Sequence, residues 1–180
     1  MKQKILISTG GTGGHVIPAI TIYDHLKNEH EVTICTDVRG LKYLDINNFK
    51  IFEIDTPKLN RSILFPFIIL KVLFLTIKSL LLLKKEKIQI LISTGGYMSL
   101  PLCLAGKILN IKIFLLEPNM TIGRANKFFL NFCEKIICYS KNINGLPKKF
   151  KKKIEISSPF IRRQYYEKKF KENNNEIFTI

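Results

Sequence analysis

Acidic residues are scarce in this 180-residue chain: 14 Asp and Glu stand against 29 Lys and Arg, for a formal charge of +15. That imbalance has two readings. One is a partner carrying phosphates: a nucleic acid, an anionic membrane or a phosphorylated substrate. The other is compositional drift, because the chain is rich in Ile, Lys, Asn and Phe, as AT-biased coding produces. Cysteine is sparse and never spaced C-x-x-C. Cys35, Cys103, Cys133 and Cys138 with the three histidines (His15, His25, His30) complete no zinc pattern, so no metal is expected. Cys35, Cys103 and Cys138 lie in apolar runs and read as buried thiols, which fits a reduced, cytoplasmic compartment. The start, Met1-Lys2-Gln3-Lys4, leads straight into a short apolar run and then glycines, which reads as lacking a cleavable signal peptide. Basic residues are not interleaved with aromatics as a base-stacking surface requires, which argues against a nucleic-acid partner. Apolar residues at 46% and charged ones at 24% are ordinary globular usage and exclude disordered, collagen-like and polytopic membrane chains.

What is present is a series of short apolar strands, several ending in glycine. Lys4–Ser8 is followed by Thr9-Gly10-Gly11-Thr12-Gly13-Gly14-His15, and from Val16 the pattern turns helical, with Pro18 expected in the first turn. Further strands are expected at Val32–Thr36, Ile51–Ile54, Ile88–Ser93, Ile111–Leu116 and Lys135–Tyr139, with helices near 99–109 and 122–133. Nearly all-apolar strands alternating with helices predict an α/β fold: a parallel sheet covered on both faces. Ile5-Leu6-Ile7-Ser8-Thr9-Gly10-Gly11 recurs letter for letter at Ile90-Leu91-Ile92-Ser93-Thr94-Gly95-Gly96. One physical device is therefore built twice, at the carboxyl ends of two strands, where open α/β sheets bind ligands.

A glycine loop entering a helix is either a tight turn or an anion cradle, since the helix start offers unpaired N–H groups and partial positive charge. Gly13, Gly14 and His15 precede one such helix. Gly95, Gly96 and Tyr97 precede another, with Ser99 expected as its cap and Pro101 in its first turn. Neither common nucleotide motif is complete. G-K-[ST] is absent, and the third position of G-x-G-x-x-G is Val16. His15 reads either as a structural or solvated histidine or as a base positioned to take a proton from a hydroxyl near neutral pH.

These residues resemble glycosyltransferase family 28. Gly10–Ala19 (GGTGGHVIPA) is similar to the family's first glycine loop and Ser93–Pro101 (STGGYMSLP) to its second. Leu116–Lys127 (LEPNMTIGRANK) resembles its H-E-Q-N…G…N-K block, with Leu116 and Pro118 departing from it, and Ser158-Pro159-Phe160-Ile161-Arg162 resembles a worn N-P-V-R element. The resemblance implies a Rossmann-like parallel sheet flanked by helices, the N-terminal half of a GT-B glycosyltransferase. It further implies inverting transfer of N-acetylglucosamine from UDP-GlcNAc to the 4-hydroxyl of a lipid-linked muramoyl sugar, with UDP-GlcNAc as donor substrate and no cofactor. By position it makes His15 the catalytic base and sets Thr12, Gly13 and Gly14 near phosphates. It assigns Gly95, Gly96 and Tyr97 to the acceptor pocket, Asn119 and Asn126 to donor contacts, Glu117 to shaping the site and Arg162 (or Arg163) to the diphosphate. The implied partners are UDP-GlcNAc, a polyprenyl-diphosphate-linked acceptor, an anionic membrane surface and a C-terminal donor domain in cis or in trans. Residues 1–163 would form the acceptor-binding and membrane-docking domain, and 164–180 a linker with the first strand of the donor domain.

Ile63–Leu83 is the longest apolar run, enough for one membrane crossing at about 1.5 Å per residue. It is interrupted by Pro66, Lys71 and Lys78. Three readings stand: a spanning helix, a buried core helix, or a helix packed on the sheet that offers Phe65, Phe67, Leu70, Phe74 and Leu81 to a bilayer beside Lys84, Lys85 and Lys87. The third fits an acceptor that stays in the membrane, at the cytoplasmic face of the inner membrane. The alternatives in function are a transferase acting on another lipid, such as diacylglycerol, or a non-catalytic membrane subunit that recruits a separate donor-binding protein.

Overall fold

A computed structural model describes residues 2–57 and 65–159. Seven parallel strands form one sheet in the order β3-β2-β1-β4-β5-β6-β7. They are β1 Lys4–Ser8, β2 Glu31–Thr36, β3 Ile51–Glu53, β4 Ile90–Ser93, β5 Lys112–Glu117, β6 Lys135–Cys138 and β7 Ile154–Ile156. The helices are α1 Gly13–Leu26, α2 Val38–Leu41, α3 Phe65–Lys85, α4 Ser99–Ile108 and α5 Arg124–Phe129, with a 3-10 turn at Lys148–Lys153 before β7. The sequence runs outward from β1 in one direction and, after α3, from β4 in the other. The boundary between β1 and β4 is thus the topological switch point of a doubly wound sheet.

Period-two alternation sorts the strand residues into two cores. Ile5, Ile7 and Ile92 pack with Ala19 and Ile22 of α1. Leu6, Leu91, Ile113 and Leu115 point the other way, into the larger core with Leu75 and Leu83 of α3 and Leu102 of α4. All four cysteines are free and buried. Burial pushes the Cys103 thiol up to about 12 and the Cys138 thiol up to about 11, so both behave as small apolar side chains.

Several local expectations need correcting. Helix α1 begins at Gly13 rather than Val16, because Thr12 is extended and serves as the N-cap. Pro18 therefore lies in the second turn, where it cannot donate to the Gly14 carbonyl. Helix α4 starts at Ser99 itself, with Met98 at the cap, and the Ser99 hydroxyl donates to the Gly96 carbonyl at 2.7 Å. Helix α5 is shorter than the expected 122–133 segment, since the Gly123 N–H is taken by Glu117 and the chain turns after Phe129. In addition, the lysine run 148–153 forms a 3-10 turn. Phe150 anchors it in the core, and the Lys153 ammonium donates to the Leu130 and Cys133 carbonyls.

Helix α3 is neither wholly buried nor laid flat on the sheet. It leans chiefly on α4. Val72, Leu75, Thr76, Ser79 and Leu83 form its buried stripe, and the Thr76 and Ser79 hydroxyls are satisfied by the Val72 and Leu75 carbonyls. At about 100° per residue the opposite side carries Phe67, Leu70, Phe74 and Leu81, which are 60–70% exposed. Pro66–Lys85 is long and apolar enough to cross a membrane by length and composition, with mean hydropathy 2.2. On the other face of the sheet, an apolar hollow of about 510 Å³ lies between α1 and the strand residues Ile5, Ile90, Ile92, Phe114 and Ile137.

Leu91 is fully buried at the centre of the sheet. Leu91→Ala is expected to cost about 2–5 kcal/mol, read as a lower denaturant midpoint with an unchanged slope.

Candidate active site

The repeated heptapeptide lies in two adjacent strands, and its copies pair in register: Ile5 with Ile90, Leu6 with Leu91, Ile7 with Ile92 and Ser8 with Ser93. Both glycine loops therefore leave the sheet side by side at the switch point. The two copies are cross-linked where they end. The Thr94 N–H donates to the Ser8 carbonyl at 3.0 Å, and the Thr94 hydroxyl donates to Thr9 Oγ1 at 2.9 Å. Gly11, Gly95 and Gly96 hold φ of 81°, 93° and 84°, which side-chain-bearing residues rarely adopt. At Gly10 the constraint is space: a Cβ would meet Asp37 Oδ1 at 2.7 Å and Met98 Cγ at 2.8 Å.

His15 sits in the first turn of α1, carried by the first loop, yet its ring reaches the second. Nδ1 lies 2.6 Å from the Thr94 carbonyl oxygen. A carbonyl only accepts, so Nδ1 carries a proton, and in the neutral ring Nε2 keeps its lone pair. The ring also lies against the second loop, 3.3 Å from where a Cβ on Gly95 would stand. Nε2 takes no partner among the described residues. The N–H groups of Gly13 and Gly14, the first two of α1, likewise take no partner among the described residues.

Glu117, at the end of β5 and 2% exposed, organises the third segment. Its Oε2 accepts the Gly123 N–H at 2.6 Å and Asn126 Nδ2 at 3.1 Å, while Oε1 accepts Asn119 Nδ2 at 3.0 Å. Asn126 also donates to the Leu116 carbonyl at 3.0 Å, leaving its buried Oδ1 without a partner among the described residues. A buried, unsatisfied amide oxygen in a cleft wall suits a ligand donor.

Two adjoining clefts result. One, about 230 Å³, is walled by His15, Gly95, Gly96, Tyr97, Glu117, Asn119 and Asn126, along with Gly123, Arg124 and Ala125. The other, about 130 Å³, is walled by Gly10, Gly11, Thr12, His15, Arg39, Gly96, Tyr97 and Met98. His15, Gly96 and Tyr97 belong to both. Gly13 and Gly14 wall neither; Gly13 instead backs onto Tyr43, whose Cε1 would stand 3.2 Å from a Cβ there. Arg162 lies outside the described residues, as does the expected 164–180 linker and strand. Among the described residues no three His, Cys, Asp or Glu side chains gather as a metal set would.

Sequence reasoning missed Asp37 and Arg39, which follow β2. Asp37 is fully buried. Its Oδ1 accepts the Gly11 N–H at 2.8 Å and the Gly40 N–H at 2.9 Å, and its Oδ2 accepts Arg39 Nε and Nη2 at 2.8 and 2.7 Å. Burial alone would raise its pKa, but the Gly11 N–H, the Arg39 guanidinium and the Gly40 N–H outweigh it and hold the carboxyl below the usual range. The available signal was position: Thr36-Asp37-Val38-Arg39 leaves the same sheet edge as the first glycine loop, one strand away.

A doubly wound parallel sheet with paired glycine loops at its switch point defines a Rossmann-like domain of the kind that binds nucleotides and related phosphates. More particularly, the chain belongs to glycosyltransferase family 28, whose N-terminal domain matches residues 5–138. It is 50% identical over 182 residues to the UDP-N-acetylglucosamine--N-acetylmuramyl-(pentapeptide) pyrophosphoryl-undecaprenol N-acetylglucosamine transferase of Pelagibacter ubique, covering 100% of this chain and 50% of that protein. The protein of the same name from Rickettsia felis is 34% identical over 162 residues, covering 89% of this chain and 44% of its own length. Among solved structures, MurG of Acinetobacter baumannii shares the fold with a TM-score of 0.73 at 22% identity, over 97% of this chain and 50% of that one. A UDP-GlcNAc 2-epimerase from Neisseria meningitidis bound to UDP-GlcNAc follows at a TM-score of 0.61 and 13% identity, over 86% of this chain and 45% of that one. The chain spans about half the length of the relatives it matches.

Because the native Asp37 carboxyl titrates below its ordinary value of 3.8, its contribution is complete above that value and is lost as pH falls through the lower native one. Asp37→Asn is expected to cost about 2–4 kcal/mol at neutral pH and to flatten the acid limb of the stability profile, measured as denaturant midpoint against pH.

Proposed function

We propose that this chain is the acceptor-binding half of an inverting, UDP-GlcNAc-dependent hexosyltransferase that glycosylates a polyprenyl-diphosphate-linked muramoyl-pentapeptide. The observation that carries this reading is the bond from His15 Nδ1 to the Thr94 carbonyl at 2.6 Å, which leaves Nε2 as the acceptor nitrogen in a side chain that walls both clefts. In this reading Nε2 takes the proton of the sugar 4-hydroxyl as its oxygen attacks the anomeric carbon of the donor. The bond from that carbon to the diphosphate oxygen breaks from the opposite side, and UDP departs with the electron pair. No cofactor takes part.

The remaining site residues divide the work. Thr12 and the free N–H groups of Gly13 and Gly14 receive phosphate oxygens at the α1 N-terminus. Gly95, Gly96 and Tyr97 form the acceptor pocket. Asn119 and Asn126 contact the donor, the latter through its unsatisfied Oδ1, and Glu117 positions both amides. Arg162 supplies a guanidinium for the diphosphate, and a donor domain beginning in 164–180, in cis or in trans, completes the nucleotide site.

The acceptor's lipid accounts for the apolar side of the molecule. An apolar groove of about 490 Å³, walled by Ile69, Val72, Leu73, Leu100, Leu104 and Phe128, shares Tyr97, Arg124 and Ala125 with the polar cleft. It runs toward the exposed stripe of α3. Lys71 and Lys78 are exposed beside that stripe, and the buried stripe is packed on α4, which favours a helix lying on the bilayer over one crossing it. The protein then works peripherally, at the cytoplasmic face of the inner membrane.

The test is a transferase assay with UDP-GlcNAc and lipid I, run on this chain with a family donor domain. With activity reconstituted, His15→Ala is expected to lower turnover about 10²-fold or more, and unchanged turnover removes His15 from the chemistry. No transfer by the mixture, with liposome binding retained, contradicts the transferase reading. Lys84→Glu with Lys85→Glu is expected to weaken sedimentation with anionic liposomes, and wild-type binding should fall as salt rises.

A further inference from the structure

We propose that Arg39, aimed by the buried carboxylate of Asp37, is a diphosphate-binding residue of the first glycine loop. The inference rests on the reading of the paired loops as a diphosphate site and adds a cation to it. Gly10, Gly11, Thr12, Arg39, Tyr97 and Met98 are among the walls of the smaller cleft, and no carboxylate lines it. Arg39 is its one permanently charged group.

Two features separate this arginine from an ordinary surface ion pair. First, Asp37 is fully buried while the Arg39 side chain is 43% exposed. Oδ1 holds the loop, since it accepts both the Gly11 and the Gly40 N–H. Oδ2 is committed to Nε and Nη2 of Arg39 together, which fixes the plane of the guanidinium. That pairing uses two of the five N–H donors, and the other three take no partner among the described residues.

Second, the loop leaves room for the guanidinium's neighbour. A Cβ on Gly11 would stand 3.7 Å from Arg39 Nη2, and the Gly11 backbone at φ 81° disfavours any side chain there. The space above Gly11 therefore stays open beside a fixed cation, two residues before α1 begins. A cation held in one plane, an accessible glycine backbone and a helix start suit a multiply charged phosphate ester better than a carboxylate. Two substrates of the proposed reaction carry that chemistry: the donor as a nucleoside diphosphate ester and the acceptor as a polyprenyl diphosphate ester.

The experiment titrates this chain with UDP and, separately, with farnesyl diphosphate, by calorimetry. The wild type, Arg39→Ala, Arg39→Lys, Asp37→Asn and the double variant Asp37→Asn with Arg39→Ala are compared, each checked for native circular dichroism. Arg39→Ala is expected to weaken the diphosphate that occupies this cleft about tenfold or more. Arg39→Lys should recover only part of that, because an ammonium cannot serve Asp37 and the ligand in one plane. Selective loss of farnesyl diphosphate assigns the cleft to the acceptor, and selective loss of UDP assigns it to the donor. Asp37→Asn should weaken the same probe in the wild-type background and add nothing in Arg39→Ala. Weakening by the same factor in both backgrounds would make Asp37 merely structural and overturn its aiming role. Undiminished binding of both probes by Arg39→Ala overturns the role of Arg39 and leaves the loop reading standing. A wild type that binds neither probe overturns both.

Discussion

The hydrogen bond from His15 to the Thr94 carbonyl joins two loops that are far apart in sequence, and it exists only because β1 and β4 are neighbours in register. Two identical segments end at the same height, so each loop starts from the same level of the sheet. The imidazole carried by the first helix then spans the gap to the second loop. A slip of one residue between the strands would turn every strand side chain to the opposite face. It would bury the polar Ser8-Thr9 and Ser93-Thr94 ends differently and pull the carbonyl out of the ring's reach. Core packing and site geometry are in this sense one constraint.

Around that clasp the carboxylates act as fasteners. Glu117 gathers the backbone and amides of 119–126 into a wall, and Asp37 ties the first glycine loop to the end of β2. Both are buried acids that accept several donors each, which is how a parallel sheet can keep charge at its carboxyl edge. The apolar side is organised by the opposite rule. There α3 satisfies its few buried hydroxyls internally and leaves a stripe of Phe and Leu without a partner among the described residues.

Much of this was legible in the chain because the signals are local. An apolar run ending in glycines marks a strand and a loop whatever surrounds it, and the repeat of Ile5–Gly11 at Ile90–Gly96 announced a duplicated device. Its register did not follow from the repeat, since pairing is a property of the sheet. Pro18 misplaced the start of α1: a first-turn preference is statistical, and the two glycines before His15 can be helical when Thr12 caps them. The 3-10 turn at 148–153 was hidden by its lysines, because the single Phe150 that anchors it carries no periodic signal. Asp37 and Arg39 were invisible for a deeper reason. They enter the site from the next strand over, and no spacing along the chain encodes that adjacency.

The state of one ring tests the account most directly. Nitrogen-15 NMR of the histidines, recorded above the pH range where imidazole titrates, reports which nitrogen carries the proton. The clasp requires His15 to be the Nδ1–H tautomer, with Nε2 showing the shift of an unprotonated nitrogen, and requires Thr94 to be the partner across a resolved coupling. A ring protonated at Nε2, or one averaging between both forms, would mean that the two loops are not joined and that the histidine is not set up as a base.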